Sequence, residues 1–116
     1  MVLTADRVND CVVIVAPVEE LDAVSAGEFL AAIRPTIETD ETVVIDMSRL
    51  RFVDSSGVGA FLSCLRKLTA QGGHLRLCAM HPAVRGIFQI LCLDRLFDIS
   101  ETCEEAVAKG RASKRS

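Results

Sequence analysis

The sequence predicts a single small α/β domain on a mostly parallel, mixed sheet, with elements in the order β-β-α-β-α-β-α-β-α. Three observations carry that prediction. Residues 11–16 are a continuously apolar run, the pattern of a strand covered on both faces, and residues 42–47 carry β-branched side chains in a row and read as a buried strand. Other stretches place apolar residues three and four apart, the spacing of helices with one buried stripe. Strands that alternate with such helices imply crossover connections, parallel pairing, and helices packed on the sheet. At 116 residues the chain is one domain in length and can bury a real core.

Each element has its own signal. Residues 2–8 and 11–16 read as two short strands joined by an Asn9-Asp10 hairpin turn. Pro17 ends the second, and residues 18–24, with Glu19, Glu20 and Asp22, form a connection. Ser25-Ala26-Gly27-Glu28 fits a capping box, with Ser25 at the N-cap and Glu28 at N3. The helix behind it is expected to bury Phe29 or Leu30, Ile33 and Ile37. Pro35 lacks an amide proton and crowds the preceding turn, so a kink or early end is expected near Arg34. Asp40-Glu41 mark the exit, and residues 42–47 form the next strand.

Residues 48–53 then lead into the turn Asp54-Ser55-Ser56-Gly57, and a helix is expected over 57–71. Its stripe is Val58, Phe61, Leu62, Leu65 and Leu68, and Gly72-Gly73 end it where a left-handed glycine usually stands. Arg66 and Lys67 fall on its solvated side. Residues 74–79 form a strand, and His81-Pro82 opens a helix whose inner face is Val84, Ile87, Phe88 and Leu91. Residues 96–99 make a last strand. Ser100 is expected to cap a final helix with Glu101, Glu104 and Glu105 in its opening turns and Gly110 beyond its end. The domain is thus expected over 1–110, with 111–116 a basic, disordered tail.

Composition excludes several functions. There is no Trp or Tyr, so the core is expected to be aliphatic with the five Phe as its large members. A net charge of −3 offers no general attraction for nucleic acid or an anionic membrane. No apolar run approaches the ~20 residues that span a bilayer. The first residues lack a signal peptide's basic and apolar regions, and the chain reads as cytoplasmic. The five cysteines are scattered with no C-x-x-C pair, and reduced core filling is expected. His74 and His81 have no ligand-spaced partners, so no metal is expected. Gly57-Val58-Gly59 lacks the Lys and length of a phosphate-binding P-loop, and no cofactor is indicated. A serine nucleophile would need a base and an oxyanion hole, and neither His is placed in sequence to suggest them. The chain does not read as an enzyme.

The stretch Val53-Asp54-Ser55-Ser56-Gly57-Val58-Gly59 stands out, because it spans a strand-to-helix junction. Backbone N–H groups are unpaired there and the helix dipole favours negative charge. Two hydroxyls beside a carboxylate make either a helix cap or an acceptor for a phosphoryl group. Judged by spacing alone, capping is the stronger reading.

In these residues the chain resembles the STAS domain family, and within it the bacterial anti-sigma-factor antagonists. The resemblance covers nearly the whole chain. It rests on Glu20-Leu21-Asp22, Val43-Val44-Ile45-Asp46-Met47, Phe52-Val53-Asp54-Ser55-Ser56-Gly57-Val58-Gly59, Gly72-Gly73 with the strand behind it, and Pro82-Ala83-Val84-Arg85. It implies a partner-switching regulator of transcription. The unphosphorylated protein would bind an anti-sigma factor that is also a serine kinase of the histidine-kinase-like ATPase fold. Phosphorylation would release it, and a serine phosphatase would restore binding. Carried onto this chain, the resemblance makes Ser55 the phosphorylation site, with Asp22 and Asp54 near it and Ser56 and Gly57 shaping the loop.

A phosphoserine at a helix N-terminus faces free N–H groups and the positive dipole end, so its effect is expected at the partner surface rather than on folding. Loop 51–56 and the exposed side of the following helix are the expected docking surface. The alternative is a stand-alone STAS subunit of a transporter or stress-signalling complex that works without phosphorylation. A weaker third reading is a small nucleotide-binding or hydrolytic domain.

Overall fold

The computed structural model describes the backbone of residues 1–115 and the side chains of residues 1–109. Strand β1 (Thr4–Val8) turns through Asn9 and Asp10 into β2 (Cys11–Val15), antiparallel, with Val8 opposite Cys11. Asn9 takes the left-handed φ of 57° that this tight turn requires and that Asn tolerates. There follow β3 (Glu20–Leu21), α1 (Ala23–Thr39), β4 (Thr42–Asp46), β5 (Phe52–Val53), α2 (Ser55–Ala70) and β6 (His74–Cys78). The chain closes with α3 (Pro82–Ile90), a 3-10 turn at Leu93–Arg95, β7 (Asp98–Ser100) and α4 (Cys103–Arg115).

Five strands form one sheet in the order β1-β2-β4-β6-β7, and every pairing except β1 with β2 is parallel. The predicted α/β class and mixed, mostly parallel sheet are what the chain adopts. Side chains alternate across the strands, so the sheet has two distinct faces. Val43, Ile45, Leu75 and Leu77 point to one, where α1, α2 and α3 bury Phe29, Ile33, Phe61, Leu68, Val84 and Phe88. Val44 and Cys78 point to the other, where α4 lays Ala106 and Val107 over them.

Phenylalanine rings link the first layer. Phe29, Phe61, Phe88 and Phe97 form a chain of neighbouring centroids 5.8, 6.3 and 5.5 Å apart, tilted or edge to face. The fifth ring breaks the expectation of five core phenylalanines: Phe52 is 48% exposed. Helix α2 ends where the glycines placed it, with Gly72 at φ 78°.

Several local expectations are corrected. Helix α1 neither stops nor restarts at Pro35 but runs on to Thr39, because Ile33 and Ile37 on either side are both buried. Its N-cap is Asp22, with Ser25 at N3, three residues ahead of the predicted box. Leu91 is the C-cap of α3 and is exposed, and the last strand begins at Asp98 rather than Leu96. Ser100 lies inside β7 and does not cap α4; the Thr102 hydroxyl accepts from the Glu105 N–H instead. Helix α4 continues through Gly110. The tail expected at 111–116 falls on residues whose side chains lie outside the described part, and Ser116 lies outside it altogether.

The cysteines also depart from expectation. Cys78 and Cys103 are joined as a disulfide, while Cys11 and Cys64 are buried thiols and Cys92 is exposed. Burial pushes the Cys64 thiol up to about 12.

Candidate functional site at the paired helix N-termini

Two helices begin side by side where β2 and β4 finish. Strand β3 lies parallel to β5, with Glu20 opposite Phe52 and Leu21 opposite Val53. The Glu19 carbonyl accepts from the Arg51 and Phe52 N–H groups at 2.7 and 3.1 Å, and the Leu21 carbonyl accepts from the Asp54 N–H at 3.3 Å. This short ladder fixes the segment that carries Asp22 against the segment that carries Asp54, Ser55 and Ser56. Each strand of it has only two residues, too few for any periodicity to announce it.

Each helix starts with an aspartate. Asp54 caps α2, and its Oδ1 accepts from the N–H groups of Ser56 at 2.9 Å and Gly57 at 3.1 Å. Capping therefore falls to Asp54, and Ser56 is an exposed residue of the first helical turn. Asp22 caps α1 in the same way, accepting from Val24 at 3.1 Å and Ser25 at 3.0 Å. The Asp22 N–H donates back to the Ser25 hydroxyl at 2.9 Å, which closes a capping box. The Ser25 N–H, then the Ser25 hydroxyl, hold the Asp22 carboxyl below its usual value of 3.8.

Ser55 is the first residue of α2 and is exposed. No hydrogen bond among the described residues occupies its hydroxyl. The amide donors expected to face a phosphate on Ser55 are already held by Asp54. Gly57 is buried, and a side chain there would place a Cβ 2.5 Å from the Leu21 carbonyl and in collision with Val53 Cγ2. Close contact between the two segments therefore requires glycine at this position.

The β3–β5 ladder brings Asp22, Asp54, Ser55 and Ser56 to one surface, with Gly57 buried beneath it. Other parts were not read from the sequence. Phe52 and Val24, 48% and 74% exposed, stand on β5 and on the first turn of α1. Phe52 is expected in the core as one of the five Phe and Val24 in the connection before α1; the fold turns both outward. The His81 Nδ1 accepts from the Ala83 N–H to cap α3, and its Nε2 lies 3.5 Å from Arg51. The surface thus offers a free hydroxyl, capped carboxylates and apolar side chains. Among the described residues, the group with metal-ligand character is Asp46, Cys78 and Cys103, on the α4 side, where the two sulfurs are joined to each other.

The STAS domain family model matches residues 4–106. The chain belongs to the STAS domain family. Among its relatives, the anti-sigma-B factor antagonist of Bacillus subtilis is 29% identical over 88 residues, covering 76% of this chain and 81% of that one. The anti-sigma factor antagonist SpoIIAA, solved in its unphosphorylated form, is 33% identical with a TM-score of 0.76, covering 95% of this chain and 96% of that one. The Bacillus cell fate determinant SpoIIAA in its phosphorylated form is 32% identical with a TM-score of 0.68, covering 92% and 97%. In sequence and fold this STAS domain is SpoIIAA-like. None of the α1–α4 helices is long and apolar enough to cross a membrane, among the described residues.

Proposed function

We propose that this STAS domain is an anti-sigma-factor antagonist switched by phosphorylation of Ser55. In this reading the unmodified protein binds an anti-sigma factor that is also a serine kinase of the histidine-kinase-like ATPase fold. Transfer of a phosphoryl group to Ser55 ends that complex, and a serine phosphatase restores it, all in the cytoplasm. The domain contributes no catalysis of its own. The observation that carries the reading is the exposed, unengaged Ser55 hydroxyl on a fixed helix start, beside the apolar side chains of Phe52 and Val24. SpoIIAA, the relative known in both phosphorylation states, supports it.

The caps explain how a phosphate would act. A phosphoserine carries about −1.5 to −2 charge. Asp54 already holds the Ser56 and Gly57 amides, so the phosphate adds charge next to a capping carboxylate without being needed by the helix. The fold keeps its shape and the docking surface becomes strongly negative. An uncompensated charge driven into an interface costs about 2–5 kcal/mol, which is about 30-fold to several thousand-fold in affinity. That suffices to separate two proteins without a conformational change.

Incubation with the cognate kinase and ATP is expected to add one phosphate, located at Ser55 by peptide mass spectrometry. By calorimetry, Ser55→Ala is expected to keep affinity for the kinase and Ser55→Asp to lose it. No transfer, or equal affinity of the two variants, would overturn the reading and leave a STAS subunit that docks without phosphorylation.

A further inference from the structure

The α4 side of the sheet carries a second group of reactive side chains. Asp46, Cys78 and Ser100 stand opposite one another in register across β4, β6 and β7, so their side chains share one face. Cys103, the first residue of α4, closes over this row and bonds to Cys78 with their Cα atoms 5.3 Å apart, within the span that a disulfide allows. An Asp46 carboxylate oxygen lies within 4.8 Å of both sulfurs. The Ser100 hydroxyl is buried without a hydrogen-bond partner. Asp46, whose Oδ1 also accepts from the Ser48 N–H, and Ser100 supply oxygens that can accept the S–H groups that appear when the bond opens.

The two sulfurs differ in access. Cys78 is fully buried, whereas Cys103 is half-buried and lines a groove of about 320 Å³ with Val8, Asn9, Val13 and Val107. A small thiol can therefore reach one sulfur of the bond and not the other. Disulfides in a reducing cytoplasm are rare and are mostly redox-sensing, so the location proposed above also favours a bond that opens.

We infer that Cys78 and Cys103 form a reversible dithiol–disulfide couple that fastens the start of α4 to the sheet when oxidised and frees it when reduced. In reduction, a thiolate of a dithiol reductant attacks Cys103 Sγ. The S–S bond breaks, and Cys78 leaves as a thiolate and takes up a proton. The reductant's second thiol then displaces Cys103 from the mixed disulfide, and Cys103 is protonated in turn. Two electrons and two protons pass to the protein, and the dithiol becomes a disulfide. Oxidation is the reverse, with a glutathione-class disulfide as the two-electron acceptor.

The test uses the full chain with Cys92→Ser, which removes the exposed thiol. The native protein is equilibrated in buffers of graded reduced to oxidised dithiothreitol, quenched in acid, denatured, alkylated and weighed intact. Two alkylation sites are expected to appear together in one transition. Cys103→Ser is expected to abolish that step, and Cys78→Ala gives the same readout should Cys103→Ser fold poorly. Hydrogen exchange in the first turns of α4 is expected to rise roughly tenfold on reduction, with α2 unchanged. Four alkylated cysteines under oxidising conditions, instead of only Cys11 and Cys64, a bond that withstands excess reductant in the native protein, or α4 exchange that is the same in both states would each overturn the inference. No partner protein enters the measurement, so its outcome is independent of the Ser55 reading.

Discussion

Asp54 donates its backbone N–H to the carbonyl oxygen of Leu21. The same oxygen would meet a Cβ at position 57 at 2.5 Å. One carbonyl therefore sets both the register of the Ser55 segment and the size limit on the residue two positions beyond it.

Gly57→Ala weighs two opposed effects. Alanine gains up to about 1 kcal/mol in helix propensity over glycine. Overpacking costs about 1–3 kcal/mol, and here the opposing atom is backbone oxygen, which cannot rotate away. Net destabilisation is expected in urea unfolding, together with weaker partner binding. Gly59→Ala is the control: it is exposed on the same helix with nothing within 4 Å of an added Cβ. It is expected to stabilise by about 0.5–1 kcal/mol.

Asp54→Ala removes the acceptor from two amides, and a loss of about 0.5–2 kcal/mol is expected in the same assay. Ser56→Ala is expected to change stability far less, because Ser56 contributes its amide and not its hydroxyl to the cap. A larger loss for Ser56 than for Asp54 would contradict the capping assignment.

Acid should act through Asp22. Its carboxyl is held below the ordinary value in the folded protein, first by the Ser25 N–H. The carboxylate's contribution to stability is thus complete above the unfolded-state value and disappears as pH falls through the lower folded-state value. Unfolding curves collected below about pH 5 are expected to show a steeper acid decline for the native sequence than for Asp22→Asn.

Phe52 and Phe61 should separate binding from folding. Phe61→Ala opens the ring chain of the core and is expected to cost about 3–5 kcal/mol. Phe52→Ser removes an exposed ring and is expected to stay within about 0.5 kcal/mol of the native stability. Its effect should appear instead as about tenfold or more weaker partner binding by calorimetry.

What the sequence disclosed depended on whether a signal was periodic. The sheet strands β2, β4 and β6 and the stripe of α2 repeat a pattern over five or more residues, and they lie where expected. The β3–β5 ladder has no such length, so the device that joins the two helix starts stayed hidden. The caps were ambiguous for a different reason. Asp22 and Ser25 are both good N-cap residues, and so are Asp54 and Ser56; only the direction of the hydrogen bonds separates them. The Cys78–Cys103 bond spans 25 residues and depends on β7 pairing with β6, which no local spacing reveals. Phe52 misled because an apolar ring reads as core until the fold turns it outward.

The hairpin and the last helix give the molecule two functionally different poles. Thr4 stands opposite Val15, so the chain enters the sheet at the end where β2 and β4 finish and α2 begins. Helix α4 runs the other way, and its Val107 carbonyl lies over Cys11, the first residue of β2. A purification tag fused ahead of Met1 would leave from the end of the sheet at which α2 also begins. A fluorophore at exposed Ala108, beside the Val107 that lies over the first residue of β2, sits toward the opposite end and is expected to report the proposed complex without obstructing it.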